Sequence, residues 1–322
     1  MTGSSTGVAA RLRMHREATY NTSPDATNFW NIPFTIANLG TIQKLLKNPV
    51  IGQGSDPQAP LRDVLDGKSD ITVPIDSRNI GLHLGALLGD PVTTAPSGHH
   101  QHVFTSGQTG QPTSQAMEVS HPALAEFSLN TGVLYDGMDI TFARSGLAIA
   151  KFNLIGTQET WSGTSEEGTP APLLSATINY FSHLTGVIKR SGTALGKIIS
   201  GNFSFASNLE TLAVVANNGL IGGADRGEAA LTGKLTARFA DMTLLNDGIS
   251  GGGVEIDWIL TNSADEQITF TMPKVNFERP QVPLSGPGGV NVALNFTANG
   301  DASNKMLTVT LLNDCDGTAY AP

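Results

Sequence analysis

The sequence repeats a pattern of residues about half the chain length apart, and this self-similarity limits the folds the chain can adopt. Residues 202–241 hold the clearer copy, which contains Gly233-Lys234, and a weaker copy contains Gly67-Lys68. Repetition at this spacing indicates one structural unit used twice. We therefore expect two domains of similar fold in tandem, with the two glycine-lysine pairs at matching positions.

Each copy contains a stretch in which apolar and polar residues alternate. The glycine-lysine alignment places Ile71 and Val73 on Ala237 and Phe239, so the apolar face of one copy falls on the apolar face of the other. This period of two is typical of a strand with one buried and one wet face. A shift of one residue would move every side chain to the opposite face, so the preserved parity supports the repeat.

A short helix is predicted after the strand of each copy. In the first copy, apolar residues recur at helical spacing between Ser77, which can cap a helix, and Gly89, which can end one. In the second copy, the shorter segment 242–245 stands at the matching place. A strand followed by a short helix is therefore expected twice.

Most of the remaining sequence has the period of β-strands joined by turns. The strand-like segments are 126–156, 178–200, 254–272, 290–296 and 307–311. Glycine is abundant, with 36 residues, and only 15% of residues are charged and 6% aromatic. This profile is typical of many short strands rather than a helical bundle, and it predicts a mainly β protein. The predicted boundaries are an N-terminal arm at 1–32, a first domain at 33–160, a linker at 161–172 and a second domain at 173–322.

The N-terminal segment is polar and contains Arg11, Arg13 and Arg16 close together. It is either a flexible tail or an arm that lies on a neighbouring acidic subunit, since its charges oppose those of the rest of the chain. Within the segment 161–172, Glu166 and Glu167 suit a solvated linker better than a catalytic pair.

Residues 93–122 are predicted to form a long polar loop. They contain His99, His100 and His102 with no carboxylate or cysteine beside them. Metal sites need three or four convergent ligands on a rigid frame, so a solvated loop, or one that docks on another subunit, is the better interpretation.

Charge and cysteine content restrict the partners and the place of synthesis. The formal net charge of −9 disfavours ordinary nucleic-acid binding. A single cysteine, Cys315, excludes an intrachain disulfide framework and fits a reducing compartment. No apolar run has the length of a signal-peptide core or a membrane helix. We expect a soluble protein made in the cytosol, without membrane binding by this chain.

No sequence motif for catalysis or for a cofactor is complete. Residues 192–197 resemble a phosphate loop, but one residue is missing between the glycines and Ile198 replaces the magnesium-binding Ser or Thr. The glycine-rich segment 248–253 lacks a following helix pattern and is not a dinucleotide fingerprint. Nucleophile-elbow, zincin and C-x-x-C motifs are absent from the sequence. We predict no enzyme activity, no cofactor and no metal.

Five segments, in order along the chain, carry a resemblance to a known family. They are 17–24 (EATYNTSP), 131–142 (TGVLYDGMDITF), 228–239 (EAALTGKLTARF), 272–275 (MPKV) and 285–290 (SGPGGV). Their order and spacing resemble the tail tube, or major tail, proteins of long-tailed bacteriophages, whose fold is similar to that of type VI secretion tube proteins.

The resemblance implies two tandem tube domains, each a β-sandwich or half-barrel with a short flanking helix, together with long loops and the N-terminal arm. It implies a structural virion protein that polymerises into stacked rings around a channel for DNA passage into the host. Rings of such families typically hold six domains, so three chains would give a pseudo-sixfold ring, and six chains with one tube domain each is the alternative. The implied partners are further copies of the chain, the tail terminator, tape measure and distal tail or baseplate proteins, and duplex DNA in transit. The implied location is the virion tail, after assembly in the host cytoplasm.

Two sets of residues follow from this interpretation. Acidic strand residues are candidates for the channel lining, with a solvated outer face as the alternative: Asp139, Glu255 and Asp257. Basic residues and histidines of the arm and the loop are candidates for contacts between rings: Arg11, Arg13, Arg16, His99, His100 and His102.

A second class of protein also fits the strand pattern. A β-sandwich binding or capsid-decoration module would explain the strands, but not the arm and the long loop. An enzyme on a β-scaffold is a third class, disfavoured by the missing motifs.

Overall fold

The computed structural model describes residues 6–24, 29–52, 54–96, 98–156, 158–166, 178–215, 219–284 and 287–320, with the backbone alone described at Asp66. Strands dominate this part of the chain, with two α-helices and one short 3-10 helix beside them. The mainly β fold predicted from the sequence is confirmed. No helix among the described residues is long and apolar enough to cross a membrane.

The part of the chain from β1 to β11 is called the first half, and the part from β12 to β21 the second half. The elements of the first half are β1 (Arg11–Arg16), β2 (Trp30–Ile32), β3 (Ile36–Asn38), β4 (Ile42–Leu46), β5 (Leu61–Pro74), α1 (Ile80–Leu88), β6 (Val92–Thr94), β7 (His100–Thr105), β8 (Gln115–His121), β9 (Glu126–Phe142), β10 (Ile149–Gly156) and β11 (Gln158–Ser162). Those of the second half are β12 (Val187–Arg190), β13 (Thr193–Ala194), β14 (Ile198–Ala206), β15 (Glu210–Thr211), β16 (Ala224–Asp225), β17 (Ala230–Arg238), α2 (Thr243–Ser250), β18 (Val254–Thr261), β19 (Gln267–Phe277), β20 (Asn291–Ala298) and β21 (Thr308–Asn313), preceded by the 3-10 helix His183–Thr185.

Eight strands form one antiparallel sheet that runs through both halves, which we call the long sheet. Its order is β3-β5-β10-β9-β14-β17-β20-β19. The halves meet where β9 pairs with β14, with Phe203 opposite Ile140. They meet a second time where β7 pairs with β21. The four strands on the β9 side of this junction all belong to the first half, and the four strands on the β14 side all belong to the second half.

The two halves repeat the same strand pairings in the same chain order. Seven ladders of the first half have a counterpart in the second: β1·β2 and β12·β13, β1·β8 and β12·β18, β8·β9 and β18·β19, β9·β10 and β19·β20, β9·β11 and β19·β21, β5·β10 and β17·β20, β3·β5 and β14·β17. Each half also places an α-helix directly after its β5 or β17 strand. The repeat seen in the sequence therefore has a counterpart in the topology.

The ladders correct the residue correspondence between the halves. The β5·β10 and β17·β20 ladders contain eight pairs each, and aligning them end to end places Ile71 on Leu235. The glycine-lysine alignment had placed Ile71 on Ala237, two positions further on. That error kept the correct face because the side chains of a strand alternate with a period of two. The same end-to-end alignment places Asn38 of β3 on Asn202 of β14.

The core lies under the apolar face of the long sheet and is continuous through both halves. Ile71, Phe152 and Phe203 are fully buried in it. Trp258 of β18 packs on Phe142 of β9, with ring centroids 4.2 Å apart. Large aromatic and branched side chains from both halves thus share one interior, which holds the halves together.

The two helices flank this core. α1 is almost entirely buried, and Gly89 ends it with a positive φ of 89° as the sequence predicted. Its start differs from the prediction, because the carboxylate of Asp76, not the hydroxyl of Ser77, accepts hydrogen bonds from the backbone N–H groups of Arg78 and Asn79, at 2.7 and 2.6 Å. α2 follows β17 at the predicted place and has only two buried residues.

Two structural expectations are wrong. Residues 93–122 are not one long loop, since they include most of β6 and all of β7 and β8. Rather than extending from the domain, Arg11–Arg16 forms β1, which pairs with β2 and β8 inside the first half. The predicted linker 161–172 lies outside the described residues from 167 onward.

Candidate assembly surface and channel lining

The face of the long sheet opposite the core, which we call the polar face, carries hydrogen-bonding groups and charges of both signs. Its charged residues are Lys68, Asp70, Asp139, Lys151, Lys234, Arg238 and Glu278. Asparagine, serine and threonine occupy most of the positions between them on β14, β17 and β20. This polarity follows from the alternation of each strand, which sends apolar residues to the core and the others outward.

Acids and bases alternate across β5, β10 and β9 on the polar face. Lys151 on β10 stands opposite Asp139 on β9, and its Nζ lies 3.8 Å from Oδ2 of Asp70 on β5. Oδ2 of Asp139 accepts a hydrogen bond from Nδ2 of Asn153 at 3.0 Å. The positive charge of Lys151 is therefore met by carboxylates on both neighbouring strands, so this part of the face is close to neutral.

The three predicted lining residues come from two different strands. Asp139 is on the polar face, whereas Glu255 and Asp257 are on β18, which is not one of the eight strands of the long sheet but pairs with β19. Asp257 stands opposite Lys189 of β12 and accepts a hydrogen bond from Oγ1 of Thr271 at 2.8 Å. The alternation of β18 was predicted correctly, but alternation alone does not tell which ladder a strand joins.

The six predicted inter-ring residues divide by burial. Arg13 is buried and pairs with Glu118, with 2.6 Å between Nη1 and Oε1. His102 is also buried: one ring nitrogen lies 2.9 Å from Oγ1 of Thr93, the other 3.1 Å from Oδ1 of Asn313, and burial lowers the pKa of the ring.

The other four candidates reach the surface. Arg11 is exposed, Arg16 pairs with Asp90 at 2.5 Å, and His99 and His100 are half-buried. Only these four present a side chain that another ring could contact. The histidines do not converge on a point, and among the described residues no group of three or more His, Cys, Asp or Glu side chains could hold a metal ion.

A projecting ribbon in the first half was missed from the sequence. It is formed by β4 and the beginning of β5, and all five residues of β4 are exposed. Its exposed apolar side chains are Ile42, Leu45, Leu46, Leu61 and Val64. An isolated two-stranded ribbon is marginally stable in water, and clustered apolar exposure marks an interaction surface. The signal was the set of apolar residues flanking the turn-rich segment 47–60.

The counterpart of this ribbon in the second half has a partner. Residues 207–229 stand at the matching place between β14 and β17, and there Leu209 and Ala224 pack on Leu134 of the first half. Asp136 of β9 fixes the start of the segment, since its Oδ1 accepts a hydrogen bond from the backbone N–H of Leu209 at 2.8 Å. The second-half segment thus covers a surface of the first half. It also reaches the base of the ribbon, where the backbone N–H of Leu65 donates to the carbonyl of Gly219 at 3.3 Å.

The segment that resembled a phosphate loop has no helix to receive a phosphate. Residues 192–197 lie in the hairpin β12–β13 and lead into β14. A cavity of about 390 Å³ lies beside them, lined by Arg190, Lys197 and Arg238 together with Asp241. Arg190 is already engaged by Asp247 through two hydrogen bonds, at 2.6 and 2.5 Å. Because the following element is a strand, the helix dipole on which such loops depend is missing here.

Residues 7–298, nearly the whole chain, match the sequence profile of a protein family described as "Phage tail tube protein". No curated protein matches the chain.

Proposed function

The chain belongs to the phage tail tube protein family, and from this premise we propose that three copies close into a ring of six tube domains and that such rings stack into the tail tube. As a member of this family, the protein is a structural component of the virion tail. The proposal concerns the stoichiometry and the surfaces that each copy uses.

The doubled set of ladders carries the proposal. Seven strand pairings occur once in each half, so one chain supplies the same fold twice. We assign one tube domain to 33–160 together with β1 and β2, whose ladders are among the seven, and the other to 173–322. Three chains supply six such units, which is the number of domains expected in a ring. Six chains, each contributing one tube domain to the ring, are the alternative.

Open edges are the physical reason for a ring. The long sheet has one open edge at β3 and another at the end of β19 beyond Val275, where the ladder with β18 stops. An unpaired edge is a template for another strand. Joining the edges of successive copies removes both ends from solvent, as in a closed barrel. A ring is the arrangement in which every copy keeps the same contacts and no edge is left over.

The polar face is our choice for the channel lining. Duplex DNA must slide without being held, and each unpaired lysine that binds a phosphate would add to its affinity. Lys151 lies between Asp70 and Asp139, so its charge is offset before DNA arrives. We keep Asp139 as a lining residue and add Asp70 to it. Glu255 and Asp257 are assigned to an outer surface.

Contacts between stacked rings are assigned to the ribbon and to nearby exposed residues. The ribbon presents exposed apolar side chains on β4 and on the beginning of β5. Arg11, Arg16, His99 and His100 stay as candidates, while burial removes Arg13 and His102 from the set. Tail terminator, tape measure and distal tail or baseplate proteins are the proposed partners at the tube ends, and the host cytoplasm is the proposed place of assembly.

Electron microscopy of the purified protein tests this proposal. Tubes with a central channel are expected, and cross-section averages should show three copies per ring with six similar lobes. Six copies per ring would replace the trimer by the alternative. Discrete particles at every concentration would instead favour the binding or capsid-decoration module.

A further inference from the structure

One strand position of the repeat is filled in the first half and empty in the second. In the first half, β9 pairs along one edge with β10 and along the other with β14. In the second half, β19 corresponds to β9, and its ladder with β20 extends only to the hydrogen bond from the backbone N–H of Glu278 to the carbonyl of Asn295, at 2.9 Å. Among the described residues, no strand stands beside this end of β19 as β14 stands beside β9.

The strand that corresponds to β14 is β3, and it has an open edge. β14 pairs with β17 on one side and with β9 on the other. β3 pairs with β5, the counterpart of β17, and its other edge faces no strand in the described part of the chain. The first half thus offers the strand that the second half lacks, but at the opposite end of the long sheet.

The residues after β19 repeat the burial pattern of the paired end of β9. Gly137–Phe142 of β9 is the stretch that pairs with β14, and Met138, Ile140 and Phe142 in it are buried. In residues 279–284, Val282 packs on the core, while the neighbouring Gln281 and Pro283 are exposed. Val282 therefore corresponds to Ile140, because each is an inward-facing residue between two neighbours that face outward.

One position shows what is missing in a single copy. By the same alternation Leu284 matches Phe142, yet Leu284 is 83% exposed whereas Phe142 is 3% exposed. Phe142 lies in the ladder with β14, opposite Gly201. The apolar side chain of Leu284 therefore stands where the first half has a covered one.

We propose that β3 of one copy pairs with residues 279–284 of the next copy, in the register of the β14·β9 ladder. Residues 279–284, which form no strand in a single chain, become a strand when β3 docks on them. The partner is a second copy of the chain, and this inference rests on the proposed ring. The junction inside each chain is thus the template for the junction between chains.

The composition of the segment fits an edge that waits for a specific partner. Pro280 and Pro283 lack the N–H groups that a ladder uses, so this edge is a poor template for unspecific pairing in the free subunit. Successive N–H groups of a strand point to opposite edges, and that of Glu278 points to β20, so Arg279 and Gln281 present N–H groups to the incoming strand. A short ladder is enough because β3 itself has only three residues.

A disulfide between the two edges tests the register. Asn202 stands opposite Thr141 in the β14·β9 ladder, and the corresponding pair between copies is Asn38 and Pro283. The variant Asn38→Cys with Pro283→Cys is made in a Cys315→Ser background. β3 and β19 are the first and last of eight strands, about 34 Å apart along the sheet at about 4.8 Å per strand, so the bond cannot form within one chain.

Oxidation of assembled material should give covalent multimers on a non-reducing gel. If the ring is a closed trimer, the largest crosslinked species should contain three chains. The matched control, Asn202→Cys with Thr141→Cys, places the same bond inside one chain and should give an intrachain disulfide without multimers. Tubes that assemble from the Asn38/Pro283 variant without crosslinking, while the control pair forms its bond, would overturn the inference and leave the proposed function standing.

Hydrogen exchange on the unmodified protein decides the case if the cysteine variants fail to assemble. The amides that face the new ladder, those of Gln281 on one copy and of Ile36 and Asn38 on the other, should exchange at least tenfold more slowly in tubes than in free subunits. Equal exchange in the two states overturns the inference. Failure of the unmodified protein to form tubes overturns the proposed function, and the inference with it.

Discussion

Arg13 and Glu118 form a buried ion pair across the ladder of β1 and β8, and their side chains are 7% and 1% exposed. The counterpart ladder of the second half places Lys189 opposite Asp257. Both halves therefore set a base on the first strand against an acid on its neighbour. The repeat extends from strand order to the placement of charge, although Asp257 is only half-buried.

Replacing Glu118 by alanine should lower the free energy of unfolding of the subunit by about 3–5 kcal/mol, because the guanidinium of Arg13 stays buried without its carboxylate. Urea unfolding of the free subunit measures the change. Arg11→Ala, on the same strand but exposed, should shift stability by less than about 0.5 kcal/mol. Equal losses in the two variants would contradict the buried pair.

The faces of the strands could be predicted from the sequence, but their partners could not. Ile71 and Val73 are buried as expected, since alternation records burial locally. The register of a strand depends on residues far apart in the chain. The Gly67-Lys68 match therefore gave the correct face but placed the two halves two positions out of register. For the same reason, the acidic pattern of β18 gave no sign that its strand lies outside the long sheet.

The strand β7 was missed because its buried face does not look apolar. Phe104 is one of its buried residues, and His102 is another. The ring of His102 is satisfied by Asn313, which lies 211 residues away in the sequence. A buried polar residue whose partner is so distant leaves no local pattern, so composition alone favoured a loop.

His102→Ala should lower the free energy of unfolding by about 2–4 kcal/mol, because it removes a packed ring and leaves Oδ1 of Asn313 short of a hydrogen bond. Chemical denaturation measures it. The control is His100→Ala on the same strand, where the half-buried ring should cost less than about 1 kcal/mol. A larger loss at His100 than at His102 would be incompatible with the positions of the two rings.

Two buried groups near α1 have opposite effects on stability as the pH changes. Burial raises the pKa of Asp76 to about 6 and lowers the pKa of His83, whose Nδ1 lies 2.7 Å from the hydroxyl of Tyr135, to about 3. Folded Asp76 binds its proton more tightly than the unfolded chain does, so its contribution is full below about pH 4 and is lost as the pH rises through 6. The contribution of His83 is full above about pH 6.5 and is lost as the pH falls.

Asp76→Asn should remove the contribution of Asp76 to the pH dependence of stability and leave that of His83. Asparagine keeps the oxygen that accepts from the backbone N–H groups at the start of α1. Relative to the parent, the free energy of unfolding of the variant should rise by about 2 kcal/mol between pH 4 and pH 6, since the slope approaches its limit of about 1.4 kcal/mol per pH unit only midway between the two pKa values. Urea unfolding at pH 4, 5 and 6 gives the slope. A difference that stays constant across these pH values would show that Asp76 does not titrate in this window.

Phe203→Ala should weaken the junction between the halves by about 3–5 kcal/mol. The ring is fully buried, and its centroid lies 5.7 Å from that of Phe142 and 5.6 Å from that of Phe270. Ser204→Ala, the next residue of β14 but on the polar face, should have an effect below about 0.5 kcal/mol. Thermal unfolding of both variants checks the contrast, and similar losses would place the junction core elsewhere.

Asp139→Lys should make assembled tubes retain duplex DNA in their channel. The substitution removes a carboxylate beside Lys151 and adds a second cation, and each new phosphate contact adds about 0.9 to the slope of log affinity against log salt. The measurement is the amount of short duplex DNA that survives nuclease treatment of the tubes at 50 and at 200 mM salt. Nuclease digests DNA bound outside the tube, so the surviving DNA is inside the channel. Protection should appear at the lower salt and fall sharply at the higher, whereas Glu126→Lys, the same charge change on the β8·β9 ladder, should protect no more DNA than the parent. Equal protection by the two variants would mean that the polar face does not line the channel, because only a lumenal cation can hold DNA where nuclease does not reach.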